Sequence, residues 1–199
     1  MIGLGAFQKT ASPSYMKQYK PHLSGSIKMA LRTIRVIGDP ILEKECKPIK
    51  AVSDRTKELI MDMFETMYDA NGVGLAAPQV GILRQLFVVD IGDGKRYVCI
   101  NPTVTAIGEE EQTGEEGCLS VPGKEGVVTR PMKVHVKACD INMEPYEFDA
   151  EGLLARAMAH ENDHLHGVLY TTKVEGELED VTYENLEDYD YDEEEEEEA

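Results

Sequence analysis

The 199-residue sequence predicts an α+β domain. Three observations carry that expectation. Strand-like segments fill the middle of the chain, an amphipathic helix precedes them, and a second helix with two histidines on one face follows them. Strands grouped apart from helices fit α+β better than a regular βαβ alternation.

The first helix is expected over Asp54 to Ala70. Leu59, Ile60, Met63, Phe64, Met67 and Tyr68 recur at helical spacing, as in a stripe that packs against a core. Asn71-Gly72 closes it. Strands are expected at Gln85–Val89, Tyr97–Ile100 and Thr103–Ile107, punctuated by Asp93-Gly94 and Asn101-Pro102. Met132–Ala138 alternates, with Met132, Val134, Val136 and Ala138 on one face and Lys133, His135 and Lys137 on the other. That pattern makes His135 a solvated strand residue. Asn142–Pro145 is a turn, Tyr146–Phe148 a short return strand, and the second helix runs from about Ala150 to Leu165, ended by Gly167. Between the first helix and the strands lies Gly72-Val73-Gly74-Leu75-Ala76-Ala77-Pro78-Gln79. Two glycines and a proline among small residues indicate a backbone held in a special shape close to something. No Lys-Ser/Thr follows and the G-x-G-x-x-G pattern fails at Ala77, so phosphate binding is not expected.

The formal charge of −18 is unevenly spread. Residues 175–198 hold 15 Asp and Glu and no Lys or Arg, which leaves 23 acids against 20 bases elsewhere. The expected organisation is an N-terminal extension over residues 1–28, a catalytic domain over 29–174 and an acidic tail over 175–199, both ends disordered by composition. No apolar run approaches the ~20 residues of a membrane helix, and Met1 to Phe7 lacks the basic start of a signal peptide. Cys46, Cys99, Cys118 and Cys139 form no CxxC pair, so reduced thiols and a cytoplasmic location are expected, with Cys99 and Cys139 filling the core.

The chemistry is announced by His160-Glu161-Asn162-Asp163-His164. Residues four apart share a helix face, with Cβ atoms about 5–6 Å apart. Both imidazoles can hold one metal ion while Glu161 acts on a water bound to it. The pattern predicts metal-assisted hydrolysis without naming a substrate. A catalytic site of this type usually needs a third protein ligand. Glu184, twenty residues after His164, has the spacing of many HExxH peptidases but sits in the acidic tail. Cys118, in Glu116-Gly117-Cys118-Leu119-Ser120, offers a thiolate suited to a divalent metal. His166 lies off the site face, two residues from His164.

The segments GVGLAAPQ, EGCLS and HENDHLHG, in this order and at these separations, resemble the peptide deformylase family in its compact bacterial form, over roughly Arg32 to Lys173. The resemblance implies Cys118, His160 and His164 as metal ligands and Glu161 as the catalytic carboxylate. It implies antiparallel or mixed sheets around a central helix that carries the HExxH motif. It implies Fe²⁺ as the metal, with Zn²⁺, Ni²⁺ or Co²⁺ able to substitute. The reaction implied is removal of the formyl group from N-terminal formyl-methionine of newly made proteins, releasing formate. Gln79 and the Leu119 backbone N–H then stabilise the oxyanion, Gly74 pairs with the substrate peptide, and Val73, Leu153 and Ala157 line the methionine pocket. N-formylmethionyl peptides are the implied partners, with the ribosome as a further candidate and no direct nucleic-acid or membrane binding. Asn162 departs from an apolar preference in the motif and is expected to alter packing only. Asp163 is expected either to hold a ligand histidine or to form a structural salt bridge. Two rival readings remain. An HExxH metallo-endopeptidase with Glu184 as third ligand leaves EGCLS and GVGLAAPQ without a role. A non-catalytic binding module leaves Glu161 without one.

Overall fold

The computed structural model describes residues 30–181. The expected extension over residues 1–28, most of the expected tail, and Glu184 lie outside the described residues.

The first helix, α1 (Asp54–Asp69), forms where its apolar stripe predicts, with Ser53 Oγ accepting the Thr56 N–H at its start. Asn71, in the left-handed region at φ +53°, turns the chain out of it. After it come the short strand β1 (Gly74–Ala76), a 3₁₀ turn (Ala77–Val80) and β2 (Leu86–Val89). The two strands expected around Asn101-Pro102 are one, β3 (Tyr97–Ala106), with a register shift between Ile100 and Thr103. Asn101, at φ +50°, uses its side chain to tie down both backbone polar groups of Ile49. Next come β4 (Glu111–Cys118), β5 (Val121–Pro131), β6 (Lys133–Cys139), β7 (Pro145–Glu151) and the second helix, α2 (Gly152–Leu165).

The strands form two antiparallel sheets. One has the order β1-β2-β3-β6-β7; the other has β4-β5 joined by β8 (Glu179–Asp180). Among the described residues the single parallel pairing is an isolated bridge between Lys47 and Arg84. Strand β2 shows how the larger sheet is clad. Phe87 and Val89 pack with Ala155, Ala157, Met158 and Leu165 of α2. Leu86 and Val88 pack with Leu59, Ile60, Met63 and Met67 of α1. All four residues are buried, so the strand reads as a continuous apolar run rather than an alternation. The helix α2 also meets β5 on its other side and so lies between the two sheets.

Helix α2 ends at Leu165, and Gly167 follows at φ +70°. A Cβ there would lie 2.5 Å from the Glu43 backbone, so only glycine fits. The folded chain extends past the boundary expected at residue 174. Val174 and Leu178 lie where a Cβ on Gly126 would stand, β8 pairs with Lys124 and Glu125, and Val181 donates to the Gly123 carbonyl. Composition pointed to disorder there because acidic residues are interspersed with few apolar ones; a glycine on β5 admits the two that anchor the segment.

Candidate active site

Three segments far apart in sequence converge beside α2. Strand β4 ends at Cys118, β1 runs along the helix, and α2 presents His160, Glu161 and His164, all buried. One donor atom each from Cys118, His160 and His164 lies within 4.8 Å of the others. The Cys118 Sγ is 3.3 Å from His164 Nε2, and the two imidazole rings sit 5.1 Å apart between centroids. A soft thiolate with two imidazoles is a donor set for a divalent transition metal, and its spacing fits one ion with room for a further ligand.

Electrostatics separates Cys118 from the other buried thiols. Burial pushes Cys46 up to about 11, with Glu45 adding to it, and pushes Cys99 up to about 12. Burial opposes ionisation of Cys118 too, but the neighbouring His164 and His160 outweigh it and bring the thiol well below its ordinary value. Its sulfur also accepts the Ser120 N–H at 3.4 Å and a Gln79 Nε2–H at 3.5 Å. Such partners favour the thiolate that a metal requires.

His160 is locked from behind. Its Nδ1 lies 3.0 Å from Glu116 Oε2, leaving Nε2 for the site. Burial works against a charged His160, yet hydrogen bonds to Cys118 and Glu116 raise it to about 10. Glu116 is fully buried and meets Arg130 through two hydrogen bonds of 2.9 Å and Arg156 through one of 2.8 Å. Burial penalises its charge, but Arg130 and His160 hold the carboxyl far below the usual range. Sequence reasoning named none of Glu116, Arg130 and Arg156 for a role. The one available signal was spacing: Arg156 precedes His160 by one helical turn, on the same face.

Asp163 resolves to the salt-bridge alternative. Its Oδ2 meets Arg130 Nη1 at 2.5 Å and Lys173 Nζ at 2.6 Å, not a ligand histidine. The carboxylate that orients a histidine is Glu116 instead. His164 Nδ1 has no hydrogen-bond partner among the described residues.

Glu161 is 2% exposed and its Oε2 has no hydrogen-bond partner among the described residues. Burial, only partly offset by His160 and His164, pushes its carboxyl up to about 7. Strand β1 makes room for it. A Cβ on Gly74 would stand 2.3 Å from Glu161 Oε1, so the glycine is what permits the approach. A Cβ on Gly72 would stand 2.8 Å from Leu119 Cδ1. The special backbone expected at GVGLAAPQ is therefore an adaptation to Glu161 and Leu119. Gln79 is fixed by its Oε1, which accepts the Ala76 N–H at 2.7 Å, and its Nε2 donates to Ser120 Oγ at 3.1 Å.

A cavity of about 10 Å³ opens among these groups, lined by Val73, Gly74, Gln79, Leu119 and Glu161 along with Cys118 and His160 of the donor set. Of the positions expected around a methionine side chain, Val73 lines it. Leu153 and Ala157 do not: Leu153 is 40% exposed on the first turn of α2 and Ala157 is in the core. His135 pairs with Asp149 and Glu147 at the surface, and His166 pairs with Glu45, so neither approaches the site.

Residues 31–179 match the family model described as polypeptide deformylase. The chain belongs to the polypeptide deformylase family. A peptide deformylase from Agathobacter rectalis is 56% identical over 160 residues, covering 80% of this chain and all of that protein. One from Lachnoclostridium phytofermentans is 54% identical over 156 residues, covering 77% and 95%. Among solved structures, the peptide deformylase from Thermotoga maritima superposes with a TM-score of 0.71 at 41% identity, covering 74% of this chain and 99% of that one. The deformylase from Synechococcus elongatus in complex with actinonin gives 0.70 at 42% identity, covering 75% and 81%. The family is metal-dependent, and in this chain the donor set that could serve it is Cys118, His160 and His164.

Proposed function

We propose that this chain is a metal-dependent peptide deformylase whose site is built from the residues gathered at α2. It hydrolyses the formyl amide at the N-terminal formyl-methionine of newly made proteins, releasing formate. The observation that carries the reading is a buried carboxylate, Glu161, with an unpartnered oxygen beside a Cys-His₂ donor set in a chain of this family. An endopeptidase using Glu184 is not favoured, since Cys118 already completes a three-donor cluster.

Cys118, His160 and His164 would hold the ion, and Fe²⁺ is the ion proposed, with Zn²⁺, Ni²⁺ or Co²⁺ as substitutes. When bound, a divalent ion supplies Lewis acidity, lowering the pKa of water and polarising a carbonyl. The residues do the rest. Glu161 takes a proton from the attacking water at the unpartnered Oε2 and returns it to the leaving amine nitrogen. Burial raises this carboxyl above the ordinary carboxylate range, which favours its holding and returning a proton. The Leu119 N–H and the Gln79 amide, which exchanges its 3.5 Å contact to Cys118 Sγ for the substrate, donate to the oxygen of the formyl group as its charge grows, each contributing roughly 3–4 kcal/mol. Gly74, on the free edge of β1, pairs with the substrate backbone. The cavity has room for about one water-sized group, in keeping with a small acyl group at the reacting centre. Val73 and Leu153 take the methionine side chain, the exposure of Leu153 leaving it open to an apolar partner, and Ala157 supports the wall from the core.

Within the described residues no helix is long and apolar enough to cross a membrane. A cytoplasmic site of action, with nascent chains as substrate and the ribosome as a further partner, completes the proposal. Formate release from a formyl-Met-Ala-Ser peptide tests it, using metal-loaded protein prepared without oxygen because iron and Cys118 are both oxidisable. Rapid release, absent with an acetyl-Met control, is expected. No release from the folded, metal-loaded protein would overturn it.

A further inference from the structure

A second cavity lies away from the chemistry. It is a groove of about 580 Å³ between the start of α1, the loop before it and the turn leading into β2. In a chain with 38 acidic residues, the lining of this groove contains none. It contains Arg32, Lys50, Arg55 and Arg84. Arg32 is paired with Asp62. Lys50, Arg55 and Arg84 are exposed and have no hydrogen bond or ion pair from their side chains among the described residues. Below these cations the floor is apolar, formed by Ile49 and Leu59.

We propose that this groove is the docking surface for the chain's own C-terminal segment, residues 182–199. Charge selects it. That segment has eleven Asp and Glu and no Lys or Arg, whereas residues 1–29, the other terminal segment, have four Lys and no acid. The pattern of the segment also fits. Tyr183, Leu186, Tyr189 and Tyr191 are interleaved with its carboxylates, matching a basic rim over an apolar floor. Reach is sufficient. Val181 is bonded to Gly123, and Ile37 to Ser120, which places the end of β8 within about 35 Å of Arg32 at the maximum extension of the intervening residues. Eighteen residues span up to about 60 Å. Tethering gives such a segment an effective concentration on the order of 1 mM, far above that of a free competitor. Single-stranded nucleic acid fits less well, because the lining has no aromatic side chain for bases to stack on. The docked segment neutralises the groove and shields it from other polyanions, and rising salt loosens it.

The test uses the isotope-labelled full chain and follows backbone amide resonances of residues 184–198. At about 20 mM salt these should differ from those of a synthetic 182–199 peptide, and should converge on them at about 0.5 M, where screening is severe. The triple variant Lys50→Gln, Arg55→Gln, Arg84→Gln should show peptide-like positions at low salt, while the charge-matched control Lys95→Gln, Lys133→Gln, Lys137→Gln should keep the shifts. Unchanged body resonances in both variants establish that they fold. Peptide-like positions in the unmodified chain at low salt overturn the proposal. So do shifts that survive the groove variant, shifts that depend on protein concentration and therefore report a second copy, or tail amides that stay peptide-like while a single-stranded RNA oligonucleotide fills the groove.

Discussion

Glu116 and Glu161 stand on either side of the same histidine neighbourhood, both buried, and the protein treats them in opposite ways. Glu116, on β4, is surrounded by Arg130, Arg156 and His160, and its carboxyl is held far below the ordinary range. Glu161, on α2, has an unpartnered oxygen and is pushed up to about 7. One carboxylate is fixed as a charge; the other is left able to gain and lose a proton. Burial alone does not distinguish structure from chemistry. The partners do: a buried carboxylate with cations orients its neighbours, and one without them is available for reaction.

The largest expected effect comes from removing the reactive partner of that pair. Glu161→Ala should lower kcat for formyl-Met peptides by about 10²–10⁴-fold or more while the fold is kept. Near-normal turnover would erase the contrast. Glu116→Gln should act on stability instead. Breaking a buried ion pair costs about 3–5 kcal/mol, read by denaturant unfolding. The sign with pH follows from the depressed pKa. Stability from Glu116 is fully present above its ordinary value of 4.5 and is lost as pH falls below it toward the folded value. The metal-free Glu116→Gln protein should therefore lose less stability between about pH 5 and pH 3 than the metal-free parent. Equal losses would mean that Glu116 is not the charge the fold depends on. A smaller, sharper effect is expected at Gly74→Ala. Its Cβ would collide with Glu161 Oε1, so turnover should fall by about 10²-fold through misplacement with little change in stability. A loss of stability with normal kcat would place the glycine in the fold rather than the site.

The same contrast explains what could be read from the sequence. Glu161 was legible because two ligand histidines bracket it at helical spacing, and α1 and β6 were legible because their apolar residues recur with a clear period. Glu116 was not. It lies in Glu111-Gln112-Thr113-Gly114-Glu115-Glu116-Gly117, a stretch of charge and glycine with poor strand propensity, and both β4 and β5 went unrecognised. That strand is held by tertiary contacts: Arg156 donates to the carbonyls of Gln112 and Gly114 and to Glu116, and Arg130 reaches across from β5. No local pattern encodes a strand whose stability comes from arginines fourteen and forty residues away. The assignment of Cys118 over Glu184 likewise rested on resemblance, until β4 and α2 brought its sulfur beside the histidines.

The measurement that tests the contrast most directly is metal retention against a chelator, with Glu161→Gln and Glu116→Gln loaded with the same ion and compared with the parent. The account predicts parent-like retention for Glu161→Gln, and retention weakened by about 10–100-fold for Glu116→Gln, because His160 loses the carboxylate that orients it. Loss of metal from Glu161→Gln with parent-like retention in Glu116→Gln would reverse the two roles and contradict the account.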